Sequence, residues 1–289
     1  MNRFIVLEAV LRNKSFTKAA EQLGYTQSSV SQMMSNLEKE FNMHILKRSR
    51  SGVELTPDGE KLYPHIRQAL RQYRGLIDTA NAINGLQSGT VRIGAITSVS
   101  CYWLPDLFKE FKALYPQINF VLNQGDYGTI IDWLKTDQID FAIMTAEYGE
   151  GFNKTIVHNT NMNAFIPVDH PYANADAVPI EALADDPFIL VEGGGYSEPL
   201  EAFKRSGVTP NVRYKIQDDY TIMAMVEAGL GVSILSELVY RRTDFNIVSK
   251  PVEPNVTRPV AIVYKSKEEL PIASQHFAKF IIDRKEELK

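Results

Sequence analysis

The chain has 289 residues, of which 44% are hydrophobic and 23% charged, and its formal net charge is −4. That balance suits a soluble protein of two or three domains with substantial cores and excludes a low-complexity or disordered chain. A single cysteine, Cys101, excludes an internal disulfide and a multi-cysteine zinc site, and the five histidines show no metal-ligand spacing, so no metal and no cofactor is expected. No signal-peptide pattern opens the chain and no apolar run approaches a membrane span, which predicts a cytoplasmic protein without a membrane partner.

The net charge is unevenly divided. Residues 1–88 hold 12 Lys and Arg against 8 Asp and Glu, whereas residues 89–289 hold 19 against 27. A basic head on an acidic body fits a chain that grips phosphate at one end.

In chain order, a first helix is predicted over 2–13, with Phe4, Leu7 and Leu11 on one side. Ser15 or Thr17 can cap a second, Ala19, Ala20 and Leu23 give it a small apolar face, and Gly24 can end it in the left-handed conformation. Thr26 then sits where an N-cap belongs. Val30, Met34, Leu37 and Phe41 recur at spacings of four, three and four, so they face a core. The stripe leaves Gln27, Ser28, Ser31, Gln32 and Ser35 on another arc. Small uncharged polar side chains can approach base edges in a major groove, where Gln can bond N6 and N7 of adenine together. After a turn, 45–47 and 53–55 can pair as a two-stranded wing from which Lys47, Arg48 and Arg50 reach toward phosphate.

Thr56-Pro57 opens a long helix in which Leu62, Ile66, Ala69, Tyr73, Leu76, Ala80 and Ile83 alternate by four and three. This heptad seam, without an obvious partner in its own chain, predicts pairing with a second copy, and Pro64 is expected to bend it. Asn84-Gly85 and Ser88-Gly89 mark a hinge. From Thr90, strand and helix signals alternate as βαβαβ through FAIM at 141–144. Shorter strands follow at 155–158 and 164–167, then FILVEGGG, a helix over 198–205, VRYKI, a helix over 223–228, GVSIL, a late strand at 257–265 and a last helix from Ile272.

The run SFTKAAEQLGYTQSSVSQMMSNLEKEF followed by HILKRSRSGVELTPDGEKLY closely resembles the winged helix-turn-helix of the LysR-type transcriptional regulators, in order and in spacing. The resemblance implies base contacts at Gln27, Ser31 and Gln32 and a backbone contact at Arg48. One departure is Gln32, where the family often has arginine. More loosely, TVRIGA, LPDLFKEFKALYPQI and VEAGLGVSIL resemble the family's effector domain, similar to periplasmic solute-binding proteins. The implied fold is an N-terminal all-α winged helix-turn-helix over 1–58, a linker and dimerisation helix over 59–88, and an α/β two-lobed effector domain over 89–289. The first lobe is expected to cover about 89–160 and 266–289, the second about 161–265.

Thr97, Ser98 and Ser100 follow the first strand of that domain, where ligands of open α/β sheets bind, and the resemblance puts effector contacts there. A cap of the following helix is the competing role for any one of them. Gln124, Thr145, Gly194, Tyr196 and Asp219 complete the candidate effector residues. These loops contain no Lys or Arg, which argues against a multiply anionic effector, and Glu192 and Asp219 permit an amine-bearing one.

No GxSxG, P-loop, HExxH or dinucleotide fingerprint is present, so an enzyme is not expected. The resulting expectation is a transcriptional regulator with promoter DNA, a small-molecule effector, RNA polymerase and a second or further copies of itself as partners. The alternatives are a solute-binding or enzymatic α/β protein with an accessory DNA-binding head, and a regulator with no effector.

Overall fold

The computed structural model describes residues 1–83 and 88–288. The chain divides into two compact units, Met1–Ile77 and Asp78–Lys289. In the first, α1 (Asn2–Asn13), α2 (Phe16–Leu23) and α3 (Gln27–Phe41) precede a hairpin of β1 (Leu46–Ser49) and β2 (Gly52–Leu55), and α4 (Pro57–Ile83) follows. The caps are those the sequence offers. Ser15 Oγ accepts from the Lys18 amide at 3.3 Å, Thr26 Oγ1 from Ser29 at 3.2 Å and Thr56 Oγ1 from Gly59 at 3.0 Å. Each such cap contributes about 0.5–2 kcal/mol. Gly24 ends α2 at a φ of 70°.

The head core gathers Val6, Leu7 and Val10 of α1, Ala19 and Ala20 of α2, and Val30, Met34 and Leu37 of α3. The hairpin is tied to this core by hydrogen bonds. Glu38 Oε1 accepts from the amides of Ile45 at 2.7 Å and Leu46 at 3.0 Å, and the Val53 amide donates to the Lys14 carbonyl at 3.0 Å. Gly52 makes that last approach possible: its φ is 116°, and a Cβ there would lie 2.4 Å from the Lys14 oxygen.

The long helix departs from expectation in one respect. Its seam is partly satisfied within the chain, because Ile66 and Leu70 are buried in the head core, Leu62 packs against it, and Arg74 pairs with Glu8 of α1. Farther along, Leu76 is 63% exposed and Ile77 43%. The helix continues through Pro64. The expected hinge at Asn84-Gly85 and the side chain of Ile83 lie outside the described residues.

The second unit opens with β3 (Gly89–Ala95), α5 (Thr97–Tyr102), α6 (Leu104–Leu114), β4 (Ile118–Gln124), α7 (Tyr127–Lys135) and β5 (Phe141–Thr145), the expected βαβαβ order. Next come β6 (Asn153–Pro167), β7 (Val178–Pro179), α8 (Ile180–Asp185), β8 (Pro187–Val191), α9 (Glu198–Arg205), β9 (Asn211–Ile216), α10 (Asp219–Glu227), β10 (Ser233–Ser236), β11 (Ile247–Tyr264) and α11 (Ile272–Asp283). Its main sheet runs β10-β6-β11-β5-β3-β4, with β3 parallel to both β4 and β5, and β11 antiparallel to β5 and β6. In the first lobe the C-terminal helix returns to this sheet, as anticipated: Phe277 packs 4.9 Å from Phe111 and 4.9 Å from Phe120. The second lobe has its own core around Phe188 and Phe203, beneath the parallel pair β8 and β9.

Two strands run through both lobes. The expected pieces at 155–158 and 164–167 are one strand of 15 residues, and the expected strand at 257–265 is the end of one of 18. Val260, Ala261, Ile262 and Val263 of β11 pair with β5, so this stretch belongs to the first lobe's sheet and not, as the expected boundary at 265 would have it, to the second lobe. The β11 residues Ile247, Val248 and Ser249 instead pair with the far end of β6, which carries β10.

Candidate nucleic-acid face and effector cleft

In the head, Thr26, Gln27, Ser28, Gln32 and Ser35 are exposed along α3, and Ser31 is half-buried among them. Hydrogen bonds order the row along the helix: Gln27 Nε2 donates to Ser31 Oγ at 2.8 Å and Gln32 Nε2 to Asn36 Oδ1 at 3.0 Å. Both bonds use the amide nitrogen and leave the Gln carbonyl oxygen able to accept from an incoming donor. Lys47, Arg48 and Arg50 are exposed on the hairpin, and among the described residues none of the three has an ion-pair partner within 4 Å. The head therefore combines an uncharged polar helix face with exposed cations on its hairpin.

In the second unit a cavity of about 420 Å³ opens between the lobes. The first lobe contributes Ile96, Thr97 and Ser98 after β3 and the stretch from Gln124 through Thr129. Val191 through Gly193, Tyr196 through Glu198, Gln217 through Asp219, and Leu235 and Ser236 come from the second lobe, while Met162 and Arg258 come from the two strands that join the lobes.

Arg258 organises the polar wall. It is 6% exposed, its Nη2 donates to Ser98 Oγ at 2.7 Å, and Nε has no hydrogen-bond partner among the described residues. Burial opposes its charge, but Tyr127, Glu198 and Asp219 outweigh burial and hold its pKa above the ordinary value. The Tyr127 hydroxyl donates to Glu198 Oε1 at 2.8 Å, joining the lobes, and its pKa is raised chiefly by burial. Desolvation pushes the half-buried Asp219 carboxyl up to about 6, against the lowering pull of Arg258 and of a hydrogen bond from Thr97. Burial, with the charges of Glu198 and Glu147, raises Tyr196 to about 12.

Of the residues expected to contact an effector, Thr97, Ser98, Gln124, Tyr196 and Asp219 line this cavity together, and Gln124 Nε2 donates to Thr97 Oγ1 at 3.1 Å. Neither Thr97 nor Ser98 caps the helix they begin: α5 follows Ile96, and no side chain caps it. Three others do not line the cavity. Ser100 is buried away from the cavity, and Thr145 is fully buried, its Oγ1 accepting from the Glu147 amide at 3.4 Å. Gly194 approaches protein instead of ligand. Its φ is 76°, a Cβ would lie 2.6 Å from the Gly128 nitrogen, and the neighbouring Gly193 carbonyl accepts from the Tyr127 amide at 3.2 Å. The glycine run thus docks the second lobe on the start of α7. Cys101 is half-buried.

Arg258, Tyr127, Glu198 and Ser236 were not anticipated; the candidate loops carry no Lys or Arg, and the wall gains its cation from Arg258 of β11. Its signal was an arginine leading directly into the apolar run PVAIV, a residue that needs a buried partner there. Among the described residues no group of three or more His, Cys, Asp or Glu could hold a metal ion, and no helix is long and apolar enough to cross a membrane.

Comparison with known proteins agrees with both halves. Residues 1–60 match the family model described as bacterial regulatory helix-turn-helix protein, lysR family, and residues 84–286 match the LysR substrate binding domain. The HTH-type transcriptional regulator YvbU of Bacillus subtilis is 31% identical over 275 residues, 94% of each chain. A full-length OxyR variant from Pseudomonas aeruginosa superposes with a TM-score of 0.73 at 25% identity, covering 97% of this chain and 94% of that one. Full-length CbnR, solved with its target DNA, shares the fold at a TM-score of 0.71 and 18% identity, over 98% of this chain and 99% of that one. With a helix-turn-helix head and a two-lobed α/β domain matched along nearly its whole length, this chain belongs to the LysR family of DNA-binding transcriptional regulators.

Proposed function

We propose that this regulator reads a partly palindromic promoter site with Gln27, Ser31 and Gln32 of α3, aided by Thr26, Ser28 and Ser35, while Lys47, Arg48 and Arg50 hold phosphate. A small metabolite bound between the lobes, against Thr97, Ser98, Gln124, Tyr196, Asp219 and Arg258, alters that binding. The observation that carries the reading is the cavity itself. It is of ligand size, is walled by both lobes, and contains a buried guanidinium with an unpartnered nitrogen. A ligand touching both lobes stabilises one arrangement by its differential affinity for it.

The exposed outer seam of α4 supports a dimer formed through this helix, with further contacts between effector domains giving a tetramer. Two heads held in a fixed relation would match two half-sites, and a change in that relation would alter operator spacing or contact with RNA polymerase. The chain acts by binding, in the cytoplasm, without catalysis. The test selects genomic DNA with the full chain, screens metabolites by thermal shift, and repeats promoter titration with each hit. A ligand at about 100 times its Kd adds about 2.7 kcal/mol of stability. Hits that stabilise the protein but leave promoter affinity unchanged would refute the effector reading.

A further inference from the structure

The charges around the cleft are unequal and unequally employed. Against the one guanidinium of Arg258, the wall carries Asp126, Glu192, Glu198, Asp218 and Asp219. Most of these carboxylates already have work within the protein. Asp126 Oδ1 accepts from the Thr129 amide at 2.7 Å and caps α7; Asp218 Oδ2 accepts from the amide and hydroxyl of Thr221, both at 2.7 Å, and caps α10. Glu198 accepts from Tyr127, and Glu192 is exposed. Asp219 is different. It lines the cavity half-buried and caps no helix, since Asp218 holds that position, and the pull of Thr97 and Arg258 falls short of its desolvation, so its carboxylate is under-compensated.

The cation side has a matching deficit. Arg258 Nε and Ser236 Oγ are both buried and lack hydrogen-bond partners among the described residues, and Ser98 Oγ, which accepts from Arg258, still has its own proton to donate. Ser98, Ser236 and Arg258 all line the cavity and are 2%, 3% and 6% exposed, so these are desolvated donors and not a solvated surface. Buried donors of this kind call for an acceptor, and a carboxylate has lone pairs enough for all three.

We infer that the effector is a small zwitterion of amino-acid size, whose carboxylate is taken by Arg258, Ser98 and Ser236 and whose ammonium is taken by Asp219. The inference rests on the reading of this cleft as the effector site and adds the chemical class. A dianion would enter a wall that already carries more negative than positive charge. A carboxylic acid without an amine would satisfy the donors but add a second uncompensated anion near Asp219. An amine without a carboxylate would satisfy Asp219 and leave Arg258 Nε and Ser236 Oγ unmet. A zwitterion adds no net charge and meets both deficits. The apolar remainder of the wall, including Ile96, Met162, Val191 and Leu235, gives its side chain a dry surface.

The test uses the full-length protein and matched triples: the proteinogenic amino acids with their β- and γ-amino counterparts, each beside the acid lacking its amino group and the amine lacking its carboxylate. Binding is read by thermal shift and by calorimetry. At least one amino acid is expected to bind, and each truncated analogue of it to bind at least about tenfold more weakly, because one leaves Asp219 unmet and the other the buried donors at Arg258 and Ser236. Asp219→Asn is expected to erase the preference for the amino acid over its des-amino acid. Ser236→Ala, a smaller change than any at Arg258, is expected to weaken the amino acid and the des-amino acid alike.

No shift with any amino acid overturns the inference, as does an equal or tighter fit of the des-amino acid. If neutral or anionic metabolites bind instead, and lose affinity in Asp219→Asn or Ser236→Ala, the zwitterion class fails while the cleft stands. If an amino acid binds wild type and both variants equally, the cleft assignment fails with it.

Discussion

Arg258 and Ser98, 160 positions apart in the chain, meet at 2.7 Å, with Nη2 donating to Oγ. The bond ties a strand that passes through both lobes to the helix that follows the first parallel strand. Removing the hydroxyl leaves a second guanidinium N–H without a partner in a buried site. Ser98→Ala should therefore cost about 1–3 kcal/mol of stability in the second unit and weaken ligand binding. Thermal denaturation with and without ligand measures both, and an unchanged melting temperature together with unchanged affinity would make the contact incidental.

On the DNA side, Gln32 and Arg48 should separate cleanly. Gln32→Ala should relax preference at one base position by about 1–3 kcal/mol, whereas Arg48→Ala should weaken all sequences and reduce the salt slope by about one unit. Binding to a selected site and to single-base variants at several salt concentrations tests this. Equal, salt-independent losses would overturn the division.

The outer seam of α4 makes a contrast within one helix. Leu76→Asp changes a residue that is 63% exposed, so it should impair self-association of the full chain while leaving the head folded. Leu70→Asp buries a charge in the head core and should unfold the head. Sedimentation and circular dichroism distinguish them. Association unaffected by Leu76→Asp would remove α4 from the dimer contact.

Asp219 should make stability depend on pH. Its folded pKa of about 6 lies above the ordinary 3.8, so the folded state favours its protonated form. Stability from this group is therefore full below about pH 4 and lost as pH rises through 6. At about 1.4 kcal/mol per unit, the loss is of the order of 2–3 kcal/mol in the ligand-free protein. Asp219→Asn should melt a few degrees higher than wild type at pH 7.5, a gap that closes by pH 4. A gap that persists or reverses at low pH would contradict the sign. Burial sets that sign and the Asp218 charge adds to it, whereas Arg258 and Thr97 oppose it.

Much of the head was legible because its signals are local. Ser15, Gly24, Thr26 and Thr56 act within four residues of themselves, and the Val30, Met34 and Leu37 stripe needs only the helical period. The seam of α4 was harder to divide, since nothing local says that Ile66 faces α1 and Leu76 faces outward. In the effector domain, Asn159 and Asn161 are residue types that favour loops, yet they are exposed positions alternating with buried Thr160 and Met162 along β6. Pairing with β11, about a hundred residues away, overrides their poor strand preference. Arg258 stood out within its strand, but where it points was not legible, for the same reason. Its place in the cleft depends on long-range register, and the residues it meets come from α5, α7 and α9. That Thr97, Ser98 and Asp219 lie on the cavity wall was legible because the ends of strands and the starts of helices can be located locally.

The most direct test of the account is promoter affinity of the full chain, measured by fluorescence anisotropy on a genomic site it selects, across a titration of the metabolite found by screening. Wild type is compared with Ser236→Ala and Arg258→Lys. The account predicts that ligand shifts wild-type affinity by at least about fivefold, within the usual range of allosteric coupling. In the variants the shift should require correspondingly more ligand. The same shift at the same ligand concentration in all three proteins would contradict a regulator switched from the cleft between its lobes.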